Sequence, residues 1–300
     1  MSPLRLPPPE LLPESRSALR AAGAHLSAPD DGRGTGPRSE DAQPLPDRKE
    51  ALYDAHFCVV RTPDAPARTL LRALTQTAAE VSVWVPEETR GAVLGALAVC
   101  GAVAPAPAPA HSATPLARWR AGHRLFFALT AATVVTLRDA TARRAVSHPG
   151  PAATRDAAVL LRASAAAMRA TASFAPHAYE SDVRPSMEPP REQPGFSGLW
   201  SADHRALVRQ LGNWGRSHAE ACPEGCEPAR TLGDALAEVH AAHYGVCARF
   251  VGRGPSLLGG SPDALHTLGR LMGARGKLLR PDGARPVPPR RREAVDLRRN

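Results

Sequence analysis

The sequence predicts an α+β fold, in which a small α/β unit is followed by a helical region, with disordered N- and C-terminal flanks. Three observations predict it. Two short runs rich in β-branched and aromatic residues, AHFCVVR (Ala55–Arg61) and VSVWV (Val81–Val85), alternate with stretches whose apolar residues recur at helical spacing. Beyond residue 149 the periodic stretches are all helical in pattern. The 31 Pro and 24 Gly are too many for one compact body, and they gather in flanks and linkers.

Residues 1–50 are rich in Pro, Ser, Asp and Arg without periodicity, and they read as disordered. Their start, MSPLRLPPPELLPE, lacks the apolar stretch of a secretory signal. The α/β unit spans residues 51–148. After the strand Ala55–Arg61, Leu70, Leu71, Leu74 and Ala78 mark one face of a helix. The strand Val81–Val85 comes next, and Pro86, Glu87 and Glu88 then open a second helix carrying Val93, Leu94, Leu97 and Val99. Proline suits a first turn, and carboxylates suit its positive end. Alternation of strand and helix implies a parallel pair.

APAPAPAHSATP (104–115) is a stiff loop. HRLFFALT and TVVTLRD then read as two strands or one long strand. The apolar run Leu125–Leu137 is too short and too Thr-rich to span the ~30 Å of a bilayer. Residues 149–176 form an Ala-rich helix and 177–199 a Pro-rich linker. Three helices fill 200–280. The first starts at Ser201 and Asp203 and carries the stripe Leu207, Leu211, Trp214. The second runs from about Ala229, and the third has Ser261 at its cap, Pro262 in its first turn and Asp263 behind. Residues 281–300 form a basic disordered tail.

One stretch carries metal-binding chemistry. ACPEGCEPARTLGDALAEVHAAHYGVCARF (221–250) holds three of the five cysteines. On a helix His240, His243 and Cys247 share one face, and Cys222 and Cys226 stand on the turn before it. A structural zinc ion takes four such ligands, so zinc is the cofactor this pattern offers, with His218 as a spare ligand. The rise of an α-helix puts His240 roughly 15 Å beyond that turn, which strains a single site. The preferred reading is a helix that buries Cys247 as a small apolar residue and leaves the histidines partly exposed, so no cofactor is expected and zinc is the alternative.

Catalytic motifs are absent. GFSG (Gly195–Gly198) lacks the spacing of a nucleophile elbow, and no His-Glu-x-x-His occurs. Cys58 and Cys100 fall in core segments, where a thiol is inert. No catalytic residue is assigned, and a non-enzymatic protein is expected.

The charge points to partners. The net charge is +9, and thirty-six arginines stand against Lys49 and Lys277 alone. Arginine matches phosphate and carboxylate with a planar fork, although GC-rich coding writes the same residue. In the tail, Arg290, Arg291, Arg292, Arg298 and Arg299 form a patch for polyanions or nuclear import. The expected partners are other proteins, with weak, salt-dependent nucleic-acid or polyanion contacts. Five cysteines make no disulfide framework, which implies a reducing, intracellular setting.

This texture of scarce lysine, abundant Ala, Arg and Pro, and long polar ends is similar to that of accessory and tegument proteins of high-GC alphaherpesviruses. The resemblance implies a viral interaction or regulatory protein in the nucleus and cytoplasm of an infected cell. A nucleic-acid-binding protein with a zinc-supported helical region is the alternative.

Overall fold

The computed structural model describes residues 2–26, 47–106, 114–142, 150–221, 226–252, 254, 255, 257 and 263–279. The fold is α+β, a mostly helical body with a two-stranded parallel sheet. Its elements are β1 (Leu4–Leu6), α1 (Arg16–Leu26), α2 (Arg48–His56), β2 (Val59–Arg61), α3 (Pro66–Ser82), α4 (Glu87–Cys100), α5 (Pro115–Ala142), α6 (Pro151–Thr171), the single turn α7 (Pro176–Ala178), α8 (Ala202–Ala221), α9 (Glu227–Phe250) and α10 (Ala264–Leu278). Their buried faces join in one apolar core that runs from Leu4 to Leu279.

The sheet differs from the expected pairing. β2 is shorter than Ala55–Arg61, because residues 48–56 are helical and Cys58 turns the chain at φ 54°. Its partner is β1, in the register Leu4↔Val59 and Leu6↔Arg61, and not the run at Val81–Val85. Val81 and Ser82 of that run end α3, and the chain then turns, the Trp84 and Val85 amides donating to the Val81 carbonyl. Burial of Leu74, Ala78 and Val81 on one helical face outweighs the β-propensity of the run. The N-terminal flank therefore enters the fold as far as Leu26. Leu4 and Leu6 are fully buried, Arg138 donates to the carbonyls of Pro9 and Leu12, and Arg16 pairs with Asp139 and Asp156. Residues 27–46 and 281–300, where disorder was expected, lie outside the described residues.

The largest departure is α5, a single helix where strands were expected. It packs against α3, α6 and α8, so almost every side chain from Ala121 to Leu137 is buried and no amphipathic period survives. Its threonines are accommodated by back-bonding: the hydroxyls of Thr130, Thr133, Thr136 and Thr141 donate to carbonyls four residues earlier, at 2.7–2.8 Å. Among the described helices α5 alone is long and apolar enough to cross a membrane, yet 78% of its most apolar window is buried inside the molecule. It is the central core helix.

α6 packs against α5, α4 and α9, and α10 closes over α8 and α9. The α5–α6 crossing is close because Gly122 faces Thr171. A Cβ at Gly122 would sit 1.9 Å from Thr171 Oγ1 and 2.8 Å from its Cβ. Thr171 has little freedom to yield, since it is β-branched and its hydroxyl donates to the Ala167 carbonyl at 2.7 Å. Gly122→Ala is expected to destabilise the protein by about 1–3 kcal/mol despite the better helix former. Gly91→Ala, on an exposed face of α4 with nothing within 4 Å, should stabilise it by about 0.5–1 kcal/mol. Urea denaturation of the two variants tests the contrast.

Candidate functional site

α5, α6, α8, α9 and α10 leave between them a cavity of about 300 Å³. That is the lower end of the range for small-molecule and cofactor sites. Its walls are chiefly apolar and aromatic: Trp119, Phe126 and Phe127 from α5, Met168 from α6, Leu207 and Leu211 from α8, and Val239 and Val246 from α9. At one side Tyr179 stacks on Phe250 with ring centroids 4.7 Å apart, and burial pushes the Tyr179 hydroxyl up to about 12.

Four histidines face this cavity from three helices: His123 on α5, His204 on α8, and His240 and His243 on α9. Burial pulls His123, His240 and His243 down to about 4 and His204 to about 3, so all four imidazoles are neutral at physiological pH. The positive charge of Arg275 adds to the fall at His204, His240 and His243. His243 is the common neighbour, within electrostatic reach of both His123 and His204. Neutral imidazoles are the form that binds transition metals and accepts protons.

Local sequence sets each of these side chains. The hydroxyl of Ser201 caps α8 by accepting from the His204 amide at 3.2 Å, and that first turn directs His204 into the cavity. Next to it Asp203 is locked by Arg61, whose five N–H groups are all engaged. Nε and Nη2 donate to the Asp54 carboxylate at 2.8 and 3.0 Å. Nη2 and Nη1 donate to Asp203 at 2.7 and 3.1 Å, and Nη1 also to the Pro7 carbonyl at 3.2 Å. His123 stacks on Phe57 with centroids 4.7 Å apart, and its Nδ1 lies 2.8 Å from the Trp119 carbonyl. A carbonyl only accepts, so the proton sits on Nδ1 and Nε2 carries the lone pair. Behind this wall, His56 Nδ1 lies 2.9 Å from Glu192 Oε1; burial holds His56 down at about 4 and raises the Glu192 carboxyl.

Of the residues expected to bind zinc, His240, His243 and Cys247 are brought together on the cavity wall. Cys247 lies one turn beyond His243, and burial raises its thiol to about 11. Cys226 is elsewhere. It precedes the first turn of α9, its sulfur 3.8 Å from Nε2 of His218, whose ring stacks on Trp214. The length of α9 separates the two places. Cys222 lies outside the described residues, as do Arg290, Arg291, Arg292, Arg298 and Arg299. Among the described residues, no group of three or more His, Cys, Asp or Glu side chains is gathered to hold a metal ion. The third helix is capped by Asp263, which accepts from the His266 amide, and Ser261 lies outside the described residues.

His123, His204 and Arg275 carry no signal in the sequence pattern. Each is the one side chain of its type that its helix brings to the cavity among the described residues, and only the packing of α5, α8 and α10 around α9 unites them.

Comparison with known proteins adds a direct constraint. Residues 5–229 match the family described as SfmD 3-methyl-L-tyrosine peroxygenase. Over 174 residues the chain is 34% identical to a 3-methyl-L-tyrosine peroxygenase of Streptomyces lavendulae, which covers 55% of this chain and 47% of that relative. The chain thus spans about half the length of the curated relative it matches. No solved structure matches. These matches overturn the expectation of a non-enzymatic interaction or regulatory protein, and the zinc-supported nucleic-acid-binding alternative with it. They also overturn the likeness to alphaherpesvirus tegument proteins and the host-nucleus setting drawn from it. Arginine- and alanine-rich composition is a property of high-GC coding that unrelated organisms share, which is why texture misled.

Proposed function

The chain belongs to the SfmD 3-methyl-L-tyrosine peroxygenase family, and from that premise we propose that it is a peroxide-dependent oxygenase of phenolic compounds whose active site is the helix-walled cavity. The single observation that carries the reading is the cluster of neutral imidazoles around His243 in an apolar chamber. The reaction balances as an aromatic C–H plus hydrogen peroxide giving a phenolic C–OH plus water.

Such chemistry requires a redox centre, and the side chains present fit a haem. Iron held by a porphyrin would draw few ligands from the protein, so an imidazole suffices where no larger donor group gathers among the described residues. His243 on α9 would hold it, with His204 on α8 beside it, both neutral and both on the cavity wall. Apolar walls suit a flat macrocycle. Haem bound there supplies the centre at which peroxide is used. His123, protonated at Nδ1 by its bond to Trp119, offers Nε2 to take a proton from hydrogen peroxide. Aromatic side chains such as Phe126 and Phe127 supply a surface on which a phenol ring packs. The family match ends at residue 229, so His123 and His204 lie inside it and His240 and His243 beyond it.

The test is direct. Purified protein should show the strong near-ultraviolet absorption band of haem and contain iron. With isotope-labelled hydrogen peroxide and 3-methyl-L-tyrosine, the product should gain one labelled oxygen by mass spectrometry. Product without label, or none from protein loaded with haem, would refute the reading.

A further inference from the structure

We propose that Arg275 is the carboxylate anchor of the cavity, binding an anionic arm that the occupant brings with it. Two cations line the chamber, Arg184 and Arg275, and no Asp or Glu is among its described lining residues. Arg184 is already satisfied, its Nε donating to Glu188 Oε1 at 2.8 Å. Arg275, in the last turn of α10, makes no hydrogen bond or ion pair among the described residues and is half-buried beside apolar walls. Its neighbours His204, His240 and His243 are neutral and supply no negative charge.

A guanidinium drawn out of water without a counter-charge is costly. The mismatch disappears when an anion enters. A planar fork with paired donors matches a carboxylate in geometry, and one unpaired cation matches a monoanion in charge. On the function proposed above, two sources carry that group: the carboxylate of an aromatic amino acid, or a carboxylate arm of the haem. The remainder of the chamber selects an aromatic body, so the composite ligand is an aromatic monocarboxylate or a carboxylate-bearing macrocycle.

The experiment uses the full chain, wild type against Arg275→Gln and Arg275→Lys, with circular dichroism to confirm folding. Calorimetry compares 3-methyl-L-tyrosine with its decarboxylated amine, and absorbance gives the haem-to-protein ratio. If the substrate supplies the group, Arg275→Gln weakens the amino acid about tenfold or more, leaves the amine unchanged, and keeps its haem. If the haem supplies it, Arg275→Gln lowers the haem-to-protein ratio and affects both ligands equally. Arg275→Lys recovers part of the loss in either case. Titration with 3-phenylpropionate against its amide separates this idea from the peroxygenase reading. Preference for the acid that vanishes in Arg275→Gln supports the anchor even in protein without activity. Unchanged haem content together with unchanged affinity for both carboxylates overturns it.

Discussion

Arg61→Leu is expected to destabilise the protein by about 3–5 kcal/mol. That is a large share of the roughly 5–15 kcal/mol that holds a domain of this kind together. The guanidinium is 4% exposed and lies between two carboxylates, Asp54 at 6% and Asp203 at 0%. Without it both carboxylates stay buried and repel each other across the space it leaves. Leucine supplies volume but none of the five donors. Arg61→Lys should fall between, because an ammonium keeps the charge and loses the fork that engages Asp54 and Asp203 together. Thermal and urea denaturation measure both variants. The loss should reach the cavity too, since Asp203 immediately precedes His204. A Leu variant that melts within a degree or two of wild type would contradict the account.

On the proposed function, His243→Ala is expected to remove most bound haem and to lower peroxide-dependent turnover by about two orders of magnitude or more, as loss of a ligand exceeds the cost of losing its support. The fold should survive, because the ring stands at the cavity edge and its truncation orphans no buried donor among the described contacts. His240→Ala should be far milder. It stands one turn earlier on α9, and among the other cavity histidines His204 and His243 feel it but His123 does not. Spectral titration with haem and turnover with 3-methyl-L-tyrosine separate the two variants. Equal haem content in wild type and His243→Ala would remove His243 from the site.

The elements legible in the sequence are those with marked ends or a one-sided face. α3 begins at Pro66 and α4 follows Pro86, α6 opens with Pro151, and α8 carries its stripe of Leu207, Leu211 and Trp214. α5 was illegible because burial on all sides erases the contrast on which periodicity depends, and its threonines and valines imitate a strand. β1 was hidden for a different reason. Three residues among prolines carry no pattern until β2, more than fifty residues later, provides the partner.

The site was half legible. His240, His243 and Cys247 announce a shared face through their spacing on one helix. The spacing does not reveal what that face meets. His123, His204 and Arg275 come from helices far apart in the chain, and a lone histidine or arginine on an amphipathic helix has no local signature. The absence of a catalytic motif followed from the same cause, since a chamber assembled from single residues of separate helices leaves no contiguous trace.

The carbonyl of Pro7 completes the shell around Arg61, directly after β1. The opening dozen residues are therefore no dispensable lead-in. They act as a latch whose far end rests, through Arg61 and Asp203, against the turn that presents His204. Trimming them for convenience would loosen a wall of the cavity from a point remote from it in sequence.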